Sequence, residues 1–288
     1  MRIKIKSYAP ILALLFGACV WGLIWYPYRL MAQVGVSGIY SSFFVFVLTL
    51  AIALPYFFIT QKKFSLKSKD FWLLSFVAGY TNISYVLAVI DGEVVRVMLL
   101  FYLSPVWTIL LSHFMLDEDT QKKHYFAAFI SLVGAFVMFW QPSSFIDLNS
   151  KSDWLALSSG IGFALTNVMT RKHQHMTIHE KALAIWIGVI LISAICIILD
   201  KKTMPTFDFF SLSHVCIAIV IALCLFFSTL LVQYGVTRIK AVEASSFFLF
   251  EIVVAAISSY LLVGESISMK EWFGGFMIIT GVILAAQN

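Results

Sequence analysis

Charge is what this chain has least of. Asp, Glu, Lys and Arg together make up 12% of its 288 residues, about half the share usual in soluble domains. With 61% hydrophobic residues and a mean hydropathy of +0.92, too little polar surface is left to cover a soluble fold. The composition is that of an integral membrane protein. A net charge of +5 would suit nucleic acid only if the basic residues formed a patch or stripe. They sit instead in short connections between apolar runs, which excludes a nucleic-acid partner and points to membrane topology.

Signatures of chemistry are also missing. No G-x-x-x-x-G-K-[ST] loop is present to cradle a nucleotide, so direct drive by ATP is not expected. Neither H-E-x-x-H nor G-x-S-x-G occurs. The four cysteines, Cys19, Cys196, Cys216 and Cys224, lie inside apolar segments without a C-x-x-C or a histidine at ligand spacing, and such thiols pack as small hydrophobes. The histidines of Arg171 to Lys181, RKHQHMTIHEK, fit a solvated loop better than a metal site. The expectation is a protein with no cofactor and no metal.

What the chain has in abundance is apolar runs of membrane length. A window of about nineteen residues finds ten candidate spans, at roughly 8–27, 39–60, 71–90, 94–115, 124–140, 153–170, 181–199, 212–234, 241–262 and 270–286. The start, MRIKIKSYAP, imitates a signal peptide, and the residues around Cys19 imitate a lipoprotein box. The apolar run continues past Cys19 and nine further spans follow, so the first helix is expected to stay. Connections are short, leaving no room for a soluble domain. If the N-terminus faces the cytoplasm, fourteen of the 20 basic residues fall inside and only Arg29, Arg96, Lys151, Lys201, Lys202 and Lys270 outside, which places both termini in the cytoplasm.

The sequence also repeats. The segment from Phe101 to Glu118, FYLSPVWTILLSHFMLDE, matches Phe248 to Glu265, FLFEIVVAAISSYLLVGE. Phe101 falls on Phe248, Val106 on Val253 and Glu118 on Glu265, and Gly134 on Gly281. Each copy has five spans, an odd number, so the second enters the membrane in the opposite sense. The fold class expected is an all-α membrane protein of ten helices in two inverted five-helix repeats, residues 1–141 and 153–288. In the first copy Pro105 lacks an N–H and crowds the Phe101 carbonyl, so a bend and hinge are expected there. The second copy has Ile252 at the matching place, without that cause for a bend.

These two segments resemble the EamA-type transporters of the drug/metabolite transporter superfamily. The resemblance implies secondary transport of a small organic metabolite, an amino acid or related compound, by alternating access across a bacterial inner membrane. It further implies export as the direction and a peripheral packing role for the fifth and tenth spans, which end each repeat with Gly134 and Gly281. Protons are a candidate coupling ion, the oligomeric state is left open, and no enzymatic activity is expected. The rival class, an intramembrane enzyme acting on lipid or peptide, needs a nucleophile with a base or paired carboxylates at membrane depth. Glu251 is the one mid-membrane carboxylate.

Glu251 leads the candidate substrate-binding residues, because a charged side chain at that depth costs about 2.5 to 3.5 kcal/mol on insertion scales. It is expected to face the protein interior and to receive a substrate ammonium or a proton. Trp21 and Trp25 form an aromatic stripe on the first span. Tyr80, Asn82 and Tyr85 make the third span polar for a lipid-facing helix, and Tyr102 lies beside the carbonyl that Pro105 frees. Asn167 in the sixth span completes the set. Amphipathic rings with directed polar tips suit a pocket for an organic solute.

Overall fold

The protein was analysed as a computed structural model, which describes residues 8–33, 35–60, 64–140, 150–200 and 212–287. Arg2, Lys4, Lys6, Lys62, Lys63, Lys201 and Lys202, used above to orient the chain, lie outside the described residues. The helices are α1 (Ala9–Gln33), α2 (Gly38–Ile59), α3 (Lys69–Asp91), α4 (Val94–Phe101), α5 (Ser104–Met115) and α6 (Lys122–Phe139). They are followed by α7 (Lys151–Lys172), α8 (Ile178–Asp200), α9 (Leu212–Arg238), α10 (Ala241–Phe248), α11 (Phe250–Val263) and α12 (Met269–Ala286). Since α4 with α5, and α10 with α11, each make one crossing, the twelve helices form ten spans, and no strand occurs among the described residues.

Among the described residues, nine of these spans are long and apolar enough to cross a bilayer by themselves. The exception is α7, whose Ser159, Gly160, Gly162, Thr166, Asn167 and Thr170 are all buried. It packs against α3, α4, α5 and α9, so its small and polar residues meet protein rather than lipid. A span that touches little lipid has no need of apolar residues all round. Its start is fixed by a capping box in which the Ser150 hydroxyl accepts from the Asp153 N–H and the Asp153 carboxylate from the Ser150 N–H. The same device opens α12, through Ser268 and Glu271. At the other end of α11, Gly264 closes the helix in the left-handed region at φ 77°, a conformation that glycine adopts without strain.

Helix pairing follows the inverted repeat. The mates are α1 and α7, α2 and α8, α3 and α9, α4–α5 and α10–α11, and α6 and α12. The α3–α8 pair is answered by α9–α2, α3–α7 by α9–α1, and the contact of α4 and α5 with α7 by that of α10 and α11 with α1. The mates α6 and α12 form the most extensive pair of all. Gly134 and Gly274 meet there, since a Cβ on Gly134 would lie 2.6 Å from the Gly274 carbonyl oxygen. Backbones approach this closely in lipid only where both faces carry small residues.

Besides a small cluster of Ala88, Val97, Leu100 and Ala156 that joins α3, α4 and α7, two larger hydrophobic cores form among the described residues, and neither belongs to one repeat. One joins α2, α3, α8 and α9 with the ends of α1 and α7, around Phe71, Trp186 and Ile221. The other joins α6, α10, α11 and α12 with the start of α1 and the end of α9, around Leu14, Phe247 and Ile278.

The fourth span breaks as Pro105 predicts. Helix α4 ends at Phe101 and Pro105 sits in the first turn of α5, while the Val106 N–H turns back to the Leu103 carbonyl at 2.9 Å. The freed Phe101 carbonyl faces α7, where a Cβ on Gly160 would come within 2.8 Å of it. The ninth span breaks at the matching place without a proline. Helix α10 ends at Phe248, and the Ile252 N–H bonds the Leu249 carbonyl at 3.2 Å. Packing alone therefore holds the second break. Pro105→Ala is expected to keep the first, changing stability by about 1 kcal/mol or less. Thermal unfolding in detergent checks this, and loss of folded protein would mean that the proline itself imposes the break.

Candidate functional site

The two broken spans meet at their breaks. Tyr102, the residue after α4, donates its hydroxyl to Glu251 Oε1 at 2.6 Å, and Glu251 lies in the first turn of α11. The distance is that of a close O–H···O hydrogen bond. Glu251 Oε2 makes no hydrogen bond among the described residues. The carboxyl is thus held by one oxygen and presents the other.

Helix α1 closes on this pair because Gly22 lets it. A Cβ there would lie 2.6 Å from the Glu251 carbonyl oxygen and 2.7 Å from Val254 Cβ. Helix α1 contributes its tryptophans here, Trp21 next to Gly22 and Trp25 about a turn further on. Trp21 lies 5.6 Å from the Phe248 ring and 5.9 Å from Phe163. Trp25 Nε1 donates to Ser258 Oγ at 2.9 Å, and Ser258 donates to the Gly22 carbonyl at 3.2 Å. A continuous ring cluster runs from there to α3: Phe248 to Phe163 at 5.3 Å, Phe163 to Phe101 at 5.5 Å, and Phe101 to Tyr85 at 4.8 Å. Tyr102 stacks on Phe139 at 5.8 Å, beside a cleft of about 190 Å³ lined by Leu99, Leu132, Val133 and Phe136. Such centroid distances are those of rings in contact, so the rings fill the space between the breaks.

Trp21, Tyr85, Tyr102 and Glu251 therefore come together, with Trp25 one turn along. Tyr80 lies apart from them: its ring is exposed and stacks on Phe76, and its hydroxyl donates to Ser158 at 2.8 Å. Asn82 is half-buried on α3, with its Oδ1 enclosed and without a hydrogen-bond partner among the described residues. Asn167 is buried on α7, one turn from Phe163 on the same face. Phe101, Phe163 and Phe248 were missed as site residues. Two of them, Phe101 and Phe248, are repeat mates next to the breaks, and that coincidence was the signal available.

Charged residues gather at the two ends of the bundle. On the side of the chain ends, Arg171 of α7 bonds Glu118 Oε1 at 2.6 Å and also donates to the Thr237 carbonyl. Glu118 Oε2 accepts the Ala241 N–H at 3.0 Å, which satisfies one orphan donor at the start of α10. Lys181 donates to the Thr170 carbonyl at 2.7 Å and to the Thr237 hydroxyl at 3.0 Å. This network ties the ends of five spans. On the opposite side, Arg96 pairs with Asp153 at 2.9 Å, while Glu265, the mate of Glu118, accepts from the Ser259 hydroxyl. Packing follows the same asymmetry. Every residue of α10 is buried, whereas its mate α4 buries only Val97 and Leu100. Among the described residues the chain-end side carries the denser polar network.

Comparison with known proteins agrees with this architecture. The model of the EamA-like transporter family matches residues 9–140 and again 150–287. An uncharacterized transporter of Archaeoglobus fulgidus is 26% identical over 210 residues, covering 71% of this chain and 72% of its own. Another, of Clostridium kluyveri, is 23% identical over 273 residues, covering 89% and 86%. A solved crystal structure superimposes with a TM-score of 0.80 at 15% identity over 98% of each chain, a likeness of fold alone. A family match over both halves of a ten-span bundle leaves one conclusion: the chain belongs to the EamA-like transporter family and is a multi-pass membrane transporter.

Proposed function

We propose that this protein is a secondary transporter that exports an amino acid or related small organic metabolite across a bacterial inner membrane by alternating access, with both termini cytoplasmic. The observation that carries the reading is the Tyr102–Glu251 hydrogen bond at 2.6 Å. It joins the breaks of the two inverted repeats at the one membrane-depth carboxylate, inside a cluster of aromatic rings. Low dielectric favours the neutral carboxyl, and a bound ammonium favours the carboxylate, so a proton and a cationic solute compete for the same group. Aromatic faces around it attract the same cation and hold an apolar side chain.

The repeats 1–141 and 153–288 are the units of duplication, but the moving bodies draw on both. One body centres on α2, α3, α8 and α9 and the other on α6, α10, α11 and α12, following the two larger cores. Helices α1 and α7 lie between them, and the breaks at Pro105 and Ile252 serve as hinges. In the state described, the Glu118–Arg171 network closes the cytoplasmic side.

Counterflow in liposomes tests the reading. Vesicles preloaded with a mixture of amino acids are expected to show saturable exchange of at least one labelled member. Absence of exchange, together with turnover of the vesicle lipid, would replace a carrier with an enzyme.

A further inference from the structure

We propose that Asp70, His173 and His175 form a divalent transition-metal site on the side of the chain ends. Asp70 stands in the first turn of α3, and the two histidines lie in the connection between α7 and α8. Asp70 Oδ2 is 3.2 Å from His173 Nδ1 and 3.1 Å from His175 Nε2, and the three ligand atoms lie within 4.8 Å of one another. Ligands about 2.1 Å from a tetrahedral ion stand about 3.4 Å apart, so the two distances from Asp70 are already near that spacing and the two imidazoles need only close to it. The sequence around the histidines reads as a solvated loop, because their third partner comes from another span.

Chemistry selects the class of ion. Two imidazoles and one carboxylate suit zinc and its neighbours, not calcium or magnesium, which take oxygen ligands. An imidazole binds a metal through a neutral ring nitrogen, and the nearby Lys172 and Lys181 oppose a cation that lacks strong nitrogen bonding. His175 is exposed, giving the ion a route from solution and leaving room for water as a further ligand. Glu180 takes no part, since its oxygens accept the Ser65 and Thr177 N–H groups at 2.8 Å. A bound ion would staple the start of α3 to the α7–α8 connection, on the side that the Glu118–Arg171 network closes. The inference rests on the fold and not on the transport reading.

The test uses full-length, tag-free protein in detergent, stripped of metal with a chelator. Zn²⁺ at about 50 µM is expected to raise the thermal midpoint by about 5 °C, with Mg²⁺ leaving it unchanged. Co²⁺ is expected to give ligand-field bands in the visible. Asp70→Asn and His175→Gln should each remove both responses while unfolding at the parent's metal-free midpoint. If Asp70→Asn fails to fold, His175→Gln, a change at an exposed side chain, carries the test. A parent with no Zn²⁺ shift and a featureless Co²⁺ spectrum overturns the proposal. So does a response that survives in His175→Gln, or one that Mg²⁺ reproduces.

Discussion

Glu251→Gln is expected to fold and insert normally and to lose solute exchange by about a hundredfold, the penalty of removing one partner of a buried charge pair. The amide keeps the volume of the side chain, and its oxygen still accepts the Tyr102 hydroxyl, so the contact at 2.6 Å between the two breaks survives in kind. What disappears is the ability to carry a negative charge or a proton. The parent should bind a cationic solute more weakly as pH falls, because protons then occupy the carboxyl, and exchange in the variant should show no such dependence. Counterflow in liposomes across a pH series reads both effects. Unchanged exchange with unchanged pH dependence would leave Glu251 as a hydrogen-bonding brace between α11 and the α4–α5 break.

The largest effect on stability is expected at Gly188. Helices α3 and α8 cross so closely that a Cβ on Gly188 would overlap the Ser75 carbonyl oxygen, and one on Gly79 the Gly188 carbonyl. Backbone atoms cannot swing aside as a long side chain can, so even Gly188→Ala must part the helices along an interface shared with the core around Trp186. The cost is about 4 kcal/mol or more, enough to abolish folded protein by size exclusion in detergent. Gly275→Ala is the control. Its Cβ would meet only Val253 Cγ2, at 3.9 Å, and alanine is the better helix former, so folded yield should match the parent. Equal yields from both variants would show that the α3–α8 crossing has slack.

Much of the site was legible because membranes make charge expensive. Glu251 stands out in an apolar run, and the need to keep it from lipid already implies an interior position. Pro105 marks a break for an equally local reason, a missing N–H. The ninth-span break was hidden, since Ile252 supplies no local cause, and the tight packing of α1 through Gly22 on α11 became visible only in three dimensions. Tyr80 illustrates the opposite case. It shares a polar stretch with Asn82 and Tyr85, but successive residues on a helix point to different faces, and Tyr80 turns outward to Ser158.

By itself the sequence determined the membrane class, the ten spans, the duplication and its inversion. Each follows from properties summed along the chain: apolar length against bilayer thickness, and an odd number of spans per repeat. Only the tertiary structure decided which residues meet. The pairing of Tyr102 with Glu251, of Glu118 with Arg171, and of Asp70 with His173 and His175 joins positions far apart in sequence. Such pairs depend on the crossing and rotation of helices that interleave between repeats. Those are set by small-residue contacts such as Gly79 with Gly188 and Gly134 with Gly274, whose partners no local pattern names.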